Sequence, residues 1–355
     1  MQSMTDHLGI AFPELAQRLP KTQLADLPTP VKEISFSIGS KRTVVAVKYD
    51  NLTSELYGGN KVRKLEYLLY RARDRHAKRV ATFGTVASNH ALATSLYASA
   101  LDFECTCFLS HQIKTSSASR ALNMHLRNNT EIVRYGGDRP QRVEIMRRHL
   151  KGRQTWVIPM GGSSWLGVVS FVNAALELAD QVADGTITAP DRIYIATGTM
   201  ASAAGLALGF ALAGLDTDVH AIRVAHEFIS NPRAMRRLMS KTATLMNRLD
   251  ASIPADLADR ARLYFRDEFF GDGYARSDSA TDRAIGIARD QLDLSLDTTY
   301  TGKAMAALLH DVQQKEIAQK SILYWNTYNS QPLPVTTDRP NDLSRLPEEF
   351  LRYFD

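Results

Sequence analysis

Cysteine is nearly absent. Among 355 residues there are two, Cys105 and Cys107, in FECTCFL. Their i, i+2 spacing puts both on one side of a strand, where neighbouring thiols make poor disulfide partners, so the sequence predicts two reduced thiols. No uncharged apolar run reaches the roughly 18 residues of a spanning helix. The most apolar stretch, ASAAGLALGFALAG (201–214), is short and rich in small residues. MQSMTDHLGI lacks the basic and apolar regions of a signal peptide, and the expectation is a cytoplasmic protein without a membrane partner. There is no strong excess of one charge either: 43 Lys and Arg stand against 38 Asp and Glu. The basic clusters KVRKLE and RARDRHAKR are interleaved with Leu, Tyr and Ala at helical spacing, which reads as solvated helix faces rather than a nucleic-acid surface. Also missing are a Gly-x-Gly-x-x-Gly dinucleotide loop, a Gly-Lys-Ser/Thr triphosphate loop, a Gly-x-Ser-x-Gly hydrolase elbow and any His, Cys, Asp or Glu set with metal-ligand spacing.

What is present is regular alternation. From about residue 43, strand-like runs lead into helix-like runs: TVVAVKYD into KVRKLEYLLYRARDR, RVATFG into NHALATSLYASALD, FECTCFL into SASRALNMHLRNN, EIVRYG into VEIMRRHL, WVIPMGG into VNAALELADQVAD, and RIYIATG into AGLALGFALAG. Repeated units of this kind predict an α/β fold with a parallel sheet covered by helices on both faces. Residues 226–265 read as a helical excursion with few strand candidates. The proline-rich stretch from Gln331 reads as a surface-tracking extension.

In such sheets, ligands bind beyond the carboxyl ends of the strands. Four loops there are dominated by small and hydroxyl residues: GGNK (58–61), GTVASNH (84–90), PMGGSS (159–164) and ATGTMAS (196–202). In the last, the amides of Gly198, Thr199, Met200, Ala201 and Ser202 and the hydroxyls of Thr197, Thr199 and Ser202 precede an apolar helix and can line a phosphate pocket at its positive end. They can equally form a capped strand-to-helix turn. Ser88, Asn89 and His90 open another helix, where Ser88 caps and free amides can hold a carboxylate. His90 taken singly reads as well as a packed core histidine. A phosphate cup, a carboxylate grip and Lys61 at a glycine-flanked helix start together suit pyridoxal 5'-phosphate.

These residues resemble the pyridoxal-phosphate enzymes of the tryptophan synthase β-like fold (fold type II), in the branch of D-cysteine desulfhydrase and 1-aminocyclopropane-1-carboxylate deaminase. The likeness runs from LADLPTPVKEI (24–34) to LYWNTYNS (323–330). It includes Lys48-Tyr49-Asp50-Asn51, GGNKVRKLE (58–66), Ser88-Asn89-His90, IPMGGSSWLG (158–167), GDGYA (271–275) and LDTTYTGKAM (296–305). The resemblance implies two open, twisted, mostly parallel sheets flanked by helices. It implies a large cofactor domain (1–60 and 170–355), a small domain (61–169), the cofactor in the cleft between them, and a homodimer.

The resemblance also implies roles. Lys61 is the Schiff-base lysine, and Lys64 reaches the cofactor phosphate. Ser88 stands near the substrate, Asn89 near the pyridine hydroxyl, and Ser88, Asn89, His90 and Gly161 surround the carboxylate. Tyr274 and Tyr300 flank the substrate, Tyr300 being the acid–base candidate, and Thr327 faces the pyridine nitrogen. The implied reaction is α,β-elimination on a small β-substituted amino acid, giving a 2-oxo acid, ammonia and the leaving group. Alternatives are deaminase-type ring opening, β-replacement and a non-catalytic binding homologue. Two departures stand out. Met200 and Ala201 replace loop glycines, which disfavours positive φ there. Asn326-Thr327-Tyr328-Asn329 replaces His-Thr-Gly-Gly, which adds bulk near the ring. Deaminases carry glutamate after the tyrosine where this chain has Thr301, so the reading leans to the desulfhydrase-like branch.

Overall fold

Short β-branched runs become strands because their side chains pack on a pleated surface, and the amphipathic runs between them become the covering helices. The computed structural model describes residues 6–317, 319–331 and 342–354. Among these, the strands are β1 (Val31–Ile38), β2 (Lys41–Lys48), β3 (Arg79–Thr85), β4 (Glu104–Ser110), β5 (Glu131–Arg134), β6 (Thr155–Val157), β7 (Arg192–Thr197), β8 (Asp218–Arg223), β9 (Leu263–Arg266) and β10 (Ile322–Trp325). They form two sheets. One is six-stranded in the order β1-β2-β10-β7-β8-β9, the other four-stranded in the order β5-β4-β3-β6. Every pairing is parallel except the β1–β2 hairpin.

The alternation expected from residue 43 is therefore present, but four strands lie outside it. β1 precedes it, β8 and β10 follow helices without having been separated from them, and β9 closes the stretch read as helical. The remainder of that stretch holds the Pro232–Leu249 helix and the short Leu257–Arg260 helix. β9 is a four-residue edge strand without a fully buried side chain, too short for an alternating pattern to show.

The chain divides into two units. The first holds residues up to Pro20, Ala25–Lys64 and Ser163–Gln331, and the second holds Lys21–Leu24, Leu65–Gly162 and the described residues after Pro332. These boundaries differ from those expected. Lys61–Lys64 and Ser163 onward sit with the six-stranded sheet. Lys21–Leu24 joins the second unit because the Thr22 amide donates to the Glu66 carbonyl and the Leu24 amide to the Glu66 carboxylate. Residues 332–341 of the proline-rich stretch lie outside the described residues. Its end packs into the second unit: Phe350 and Tyr353 are buried, and the Tyr353 hydroxyl donates to the Gln112 carbonyl at 2.9 Å.

The first unit's core lies between the sheet and its helices, with Phe36, Val47, Tyr194, Ile222, Met305 and Leu308 in one cluster. On another part of this unit the Trp165–Ala183 helix packs against the Ala201–Ala213 helix. Gly205 permits the approach, since a Cβ there would stand 2.3 Å from the Val168 carbonyl oxygen. By length and composition the Trp165–Ala183 helix could cross a membrane, but here it is a mostly buried core helix carrying the buried Glu177. In the second unit Phe108 stacks on Phe83 at 5.2 Å beneath Tyr135. Cys105 and Cys107 are free and buried, their sulfurs 3.9 Å apart.

Candidate active site

The turn before Lys61 is built by close approaches that only glycine allows. A Cβ on Gly58 would lie 2.0 Å from the Asn51 carbonyl oxygen, and Gly59 has φ +92° with the Thr327 carbonyl oxygen against its missing side chain. Hydrogen bonds hold the turn. Gly58 N donates to Asn329 Oδ1 at 2.8 Å, Gly59 N to the Asp50 carbonyl at 2.8 Å, and Thr53 Oγ1 to the Gly59 carbonyl at 2.9 Å. Asn60 then ties two parts of the unit to the helix start: its amide donates to the Thr327 carbonyl at 3.2 Å and its side chain to Ser202 Oγ at 3.1 Å. Thus Lys61, Thr327 and the 197–202 loop converge. Asn60 and Asn329 perform structural work that sequence reading did not assign.

Lys61 opens the Lys61–Asp74 helix and is half-buried. Burial pulls its amine down to about 8, against the opposing pull of the Asp297 carboxylate. Lys64, one turn on, is fully buried 5.7 Å from the Phe171 ring centroid, and burial and Lys61 together lower it well below the lysine range. Two neighbouring amines in a desolvated place call for an anion. Thr197 Oγ1 points the same way, being buried without a hydrogen-bond partner among the described residues. It stands at the end of β7, just before the N-terminus of the Ala201–Ala213 helix, whose first amides lack intrahelical acceptors. Ser163 donates to Thr199 at 2.6 Å, and Gly198 lies against the Tyr300 ring.

The two loop substitutions behave differently. Met200 takes φ +74°, the left-handed conformation a glycine would occupy, at a cost of about 1–2 kcal/mol. Ala201 needs no such conformation, because it is the first residue of the helix and is buried. Met200 alone therefore carries strain in this loop. Of the other departure, Asn329 holds Gly58, and Tyr328 is half-buried.

Tyr300 and Tyr274 hydroxyls are 2.8 Å apart. Burial, then Tyr274 and then Asp297, push the Tyr300 phenol well above its ordinary range, so it is held protonated as a donor. Asp297, not foreseen as a site residue, organises this corner: its Oδ1 accepts from the Tyr300 amide at 3.3 Å, the Thr301 amide at 2.7 Å and the Thr301 hydroxyl at 2.6 Å. Thr301 is therefore a buried structural partner of Asp297, and a glutamate there would place a second carboxylate beside it.

The second unit holds the remaining candidates. Ser88 caps the Asn89–Ala100 helix, its hydroxyl accepting from the Ala91 amide at 3.2 Å. His90 is buried with Nε2 2.9 Å from Thr82 Oγ1, so its ring is engaged with β3. Asn89 is half-buried, and Gly161 is buried with φ +65° in the 160–162 turn. The largest group missed by sequence reading lies in the first unit: Lys48, Asp50, Arg63 and Glu177 form a closed ionic network. Its available signal was Glu177, an acid set between the apolar residues of AALEL in the middle of the Trp165–Ala183 helix.

The model of a pyridoxal-phosphate dependent enzyme matches residues 22–327. The chain belongs to the pyridoxal-phosphate dependent enzymes. It is 30% identical over 306 residues to D-cysteine desulfhydrase of Salmonella paratyphi A, covering 84% of this chain and 90% of that relative. The same shares are covered at 29% identity in D-cysteine desulfhydrase of Salmonella choleraesuis strain SC-B67. Among solved structures the chain is similar to an ACC deaminase homologue, with 25% identity, TM-score 0.74, and 93% and 96% of the two chains covered. The fungal L-serine ammonia-lyase of Rhizomucor miehei shares the fold at 17% identity, TM-score 0.60, with 86% and 94% covered. The two-sheet architecture is that of fold type II, the cofactor is pyridoxal phosphate, and the protein is a lyase or deaminase of this family. The residues fit this cofactor: Lys61 offers an amine of lowered basicity, and Lys64, the orphaned Thr197 hydroxyl and the helix start at Ala201 suit its phosphate.

Proposed function

We propose that the protein carries out D-cysteine desulfhydrase-like α,β-elimination on a small β-substituted amino acid, releasing a 2-oxo acid, ammonia and the leaving group. The carrying observation is the joined cluster of Lys61, Thr327, the 197–202 loop and the Tyr274–Tyr300 pair in one unit, in a chain whose curated relatives are D-cysteine desulfhydrases. Pyridoxal phosphate, when bound, would supply the electron sink that acidifies the α carbon of an amino acid.

The rest falls to the protein's own groups. Lys61, whose basicity burial lowers, is the amine suited to take the α proton. Tyr300, kept protonated, donates a proton to the departing β substituent, and Tyr274 holds its hydroxyl in place. A hydroxyl such as that of Thr327, offered to the bound ring in place of a carboxylate, would favour loss of a β substituent over transamination. Lys64, Thr197, Thr199 and Ser202 would hold the phosphate, and in the second unit the amides at Ser88, Asn89 and His90 would suit a carboxylate. A cytoplasmic homodimer is the assembly we propose.

Ring opening of the ACC deaminase kind is the second reading, favoured by the solved homologue. D- and L-amino acids with β-leaving groups, and 1-aminocyclopropane-1-carboxylate, are to be assayed for ammonia and 2-oxo acid. Release from a β-substituted amino acid and none from the cyclopropane supports elimination. The reverse supports ring opening, and release from neither rejects both.

A further inference from the structure

Asp50 follows β2 and is wholly buried. Its carboxylate accepts from Arg63 Nε at 3.1 Å and Nη2 at 2.8 Å, and its Oδ2 also accepts the Trp325 indole N–H at 2.8 Å. Its carbonyl takes the Gly59 amide. One residue thus grips the turn before Lys61, the guanidinium between Lys61 and Lys64, and the strand that ends two residues before Thr327.

Glu177 closes the far side. It accepts from Arg63 Nη1 at 2.8 Å and Nη2 at 3.0 Å and from Lys48 Nζ at 2.6 Å, while Lys48 also donates to the Thr29 carbonyl and Gln181 Oε1. Burial alone would push the Glu177 carboxyl up, yet Arg63 and Lys48 outweigh it and hold the group well below the carboxylate range. Two cations and two anions balance in a place with almost no solvent exposure.

Apolar residues of equal volume often stabilise a core as well as such a network does. What directional, mutually satisfied bonds add is a fixed geometry. Here it fixes the first turn of the helix bearing both lysines against the strand leading to Thr327.

We infer that the Asp50–Arg63 pair, closed by Glu177 and Lys48, is a positioning device that sets Lys61 relative to Thr327. The inference rests on Lys61 as the cofactor lysine. Asp50→Asn, Arg63→Lys and Trp325→Phe, the last removing a single indole donor, are compared with the wild type and Lys61→Ala. The readouts are kcat and KM taken separately, the cofactor's visible absorption, and thermal unfolding with and without cofactor.

In Asp50→Asn, kcat falls about ten- to a hundredfold with KM within about threefold of wild type, and the visible band weakens as less cofactor is held by the lysine. Arg63→Lys keeps the charge but not the forked geometry, and retains more of both than Asp50→Asn does. Trp325→Phe lowers kcat about fivefold, and it alone decides if the charged-site variants do not fold. Variants that fold and melt earlier, yet keep wild-type kcat and absorption, overturn the inference and leave the network purely structural. If Lys61→Ala retains the lysine-bound band, the assignment of Lys61 fails, and the inference with it.

Discussion

Lys61 is a residue whose chemistry is set by where it sits. Burial lowers its amine to about 8, and only Asp297 opposes that shift. In cofactor-free protein the rate of cofactor capture, followed by absorbance, therefore rises with pH with a midpoint near 8, and Asp297→Asn moves the midpoint down. The sign for stability follows the same shift: between about 8 and 10.5 the unfolded chain binds a proton the folded lysine refuses, so stability grows as pH rises through that window. A midpoint near 10 would mean the amine is solvated. Met200 shows the opposite situation, with backbone strain accepted to keep a loop's shape. Its side-chain type signalled trouble in the sequence, but which of two substituted glycines needed positive φ was visible only once Ala201 was seen to begin the helix.

The element that carries the tyrosines is held from inside. Lys303, on the Thr301–Asp311 helix, is fully buried and donates to the Phe270 carbonyl at 2.5 Å and the Gly273 carbonyl at 2.7 Å, pinning the loop that ends in Tyr274 against the helix that begins after Tyr300. Lys303→Met keeps the stem and leaves two carbonyls without donors, a loss of about 1–3 kcal/mol in unfolding free energy, with kcat down about tenfold. Denaturant unfolding and steady-state kinetics check both, and unchanged kcat would free the loop from any role in turnover. Lys303 lay in a quoted motif, LDTTYTGKAM, without an assigned part, as Arg63 and Asp50 lay in theirs. Short motifs display reacting groups, whereas their supports are recognisable only from partners far away in sequence, such as Glu177 for Arg63 and Phe270 for Lys303. The strands show a similar division. β3, β4 and β7, buried and β-branched, were legible, while edge strand β9 and hairpin strand β1 depend on pairing with neighbours.

On the scale of the whole molecule, acid is the expected weakness. His125 in the second unit and His220 in the first are both pulled down to about 4 by burial, and neither ring nitrogen of His125 has a hydrogen-bond partner among the described residues. Both are neutral in the folded protein. Their stability is fully present above about 6.5 and is lost as pH falls toward 4, at up to about 1.4 kcal/mol per pH unit for His125. His125→Leu flattens that loss in thermal unfolding measured from pH 7 to 4, and an unchanged slope would show that the ring takes up its proton without unfolding.

The proposed chemistry depends on one bond, the link between the cofactor and Lys61 rather than its buried neighbour Lys64. Borohydride reduction of the cofactor-loaded enzyme, followed by peptide mass spectrometry, locates it. The pyridoxyl group is expected on Lys61 with Lys64 unmodified, and a label on Lys64 or on any other lysine would contradict the assignment.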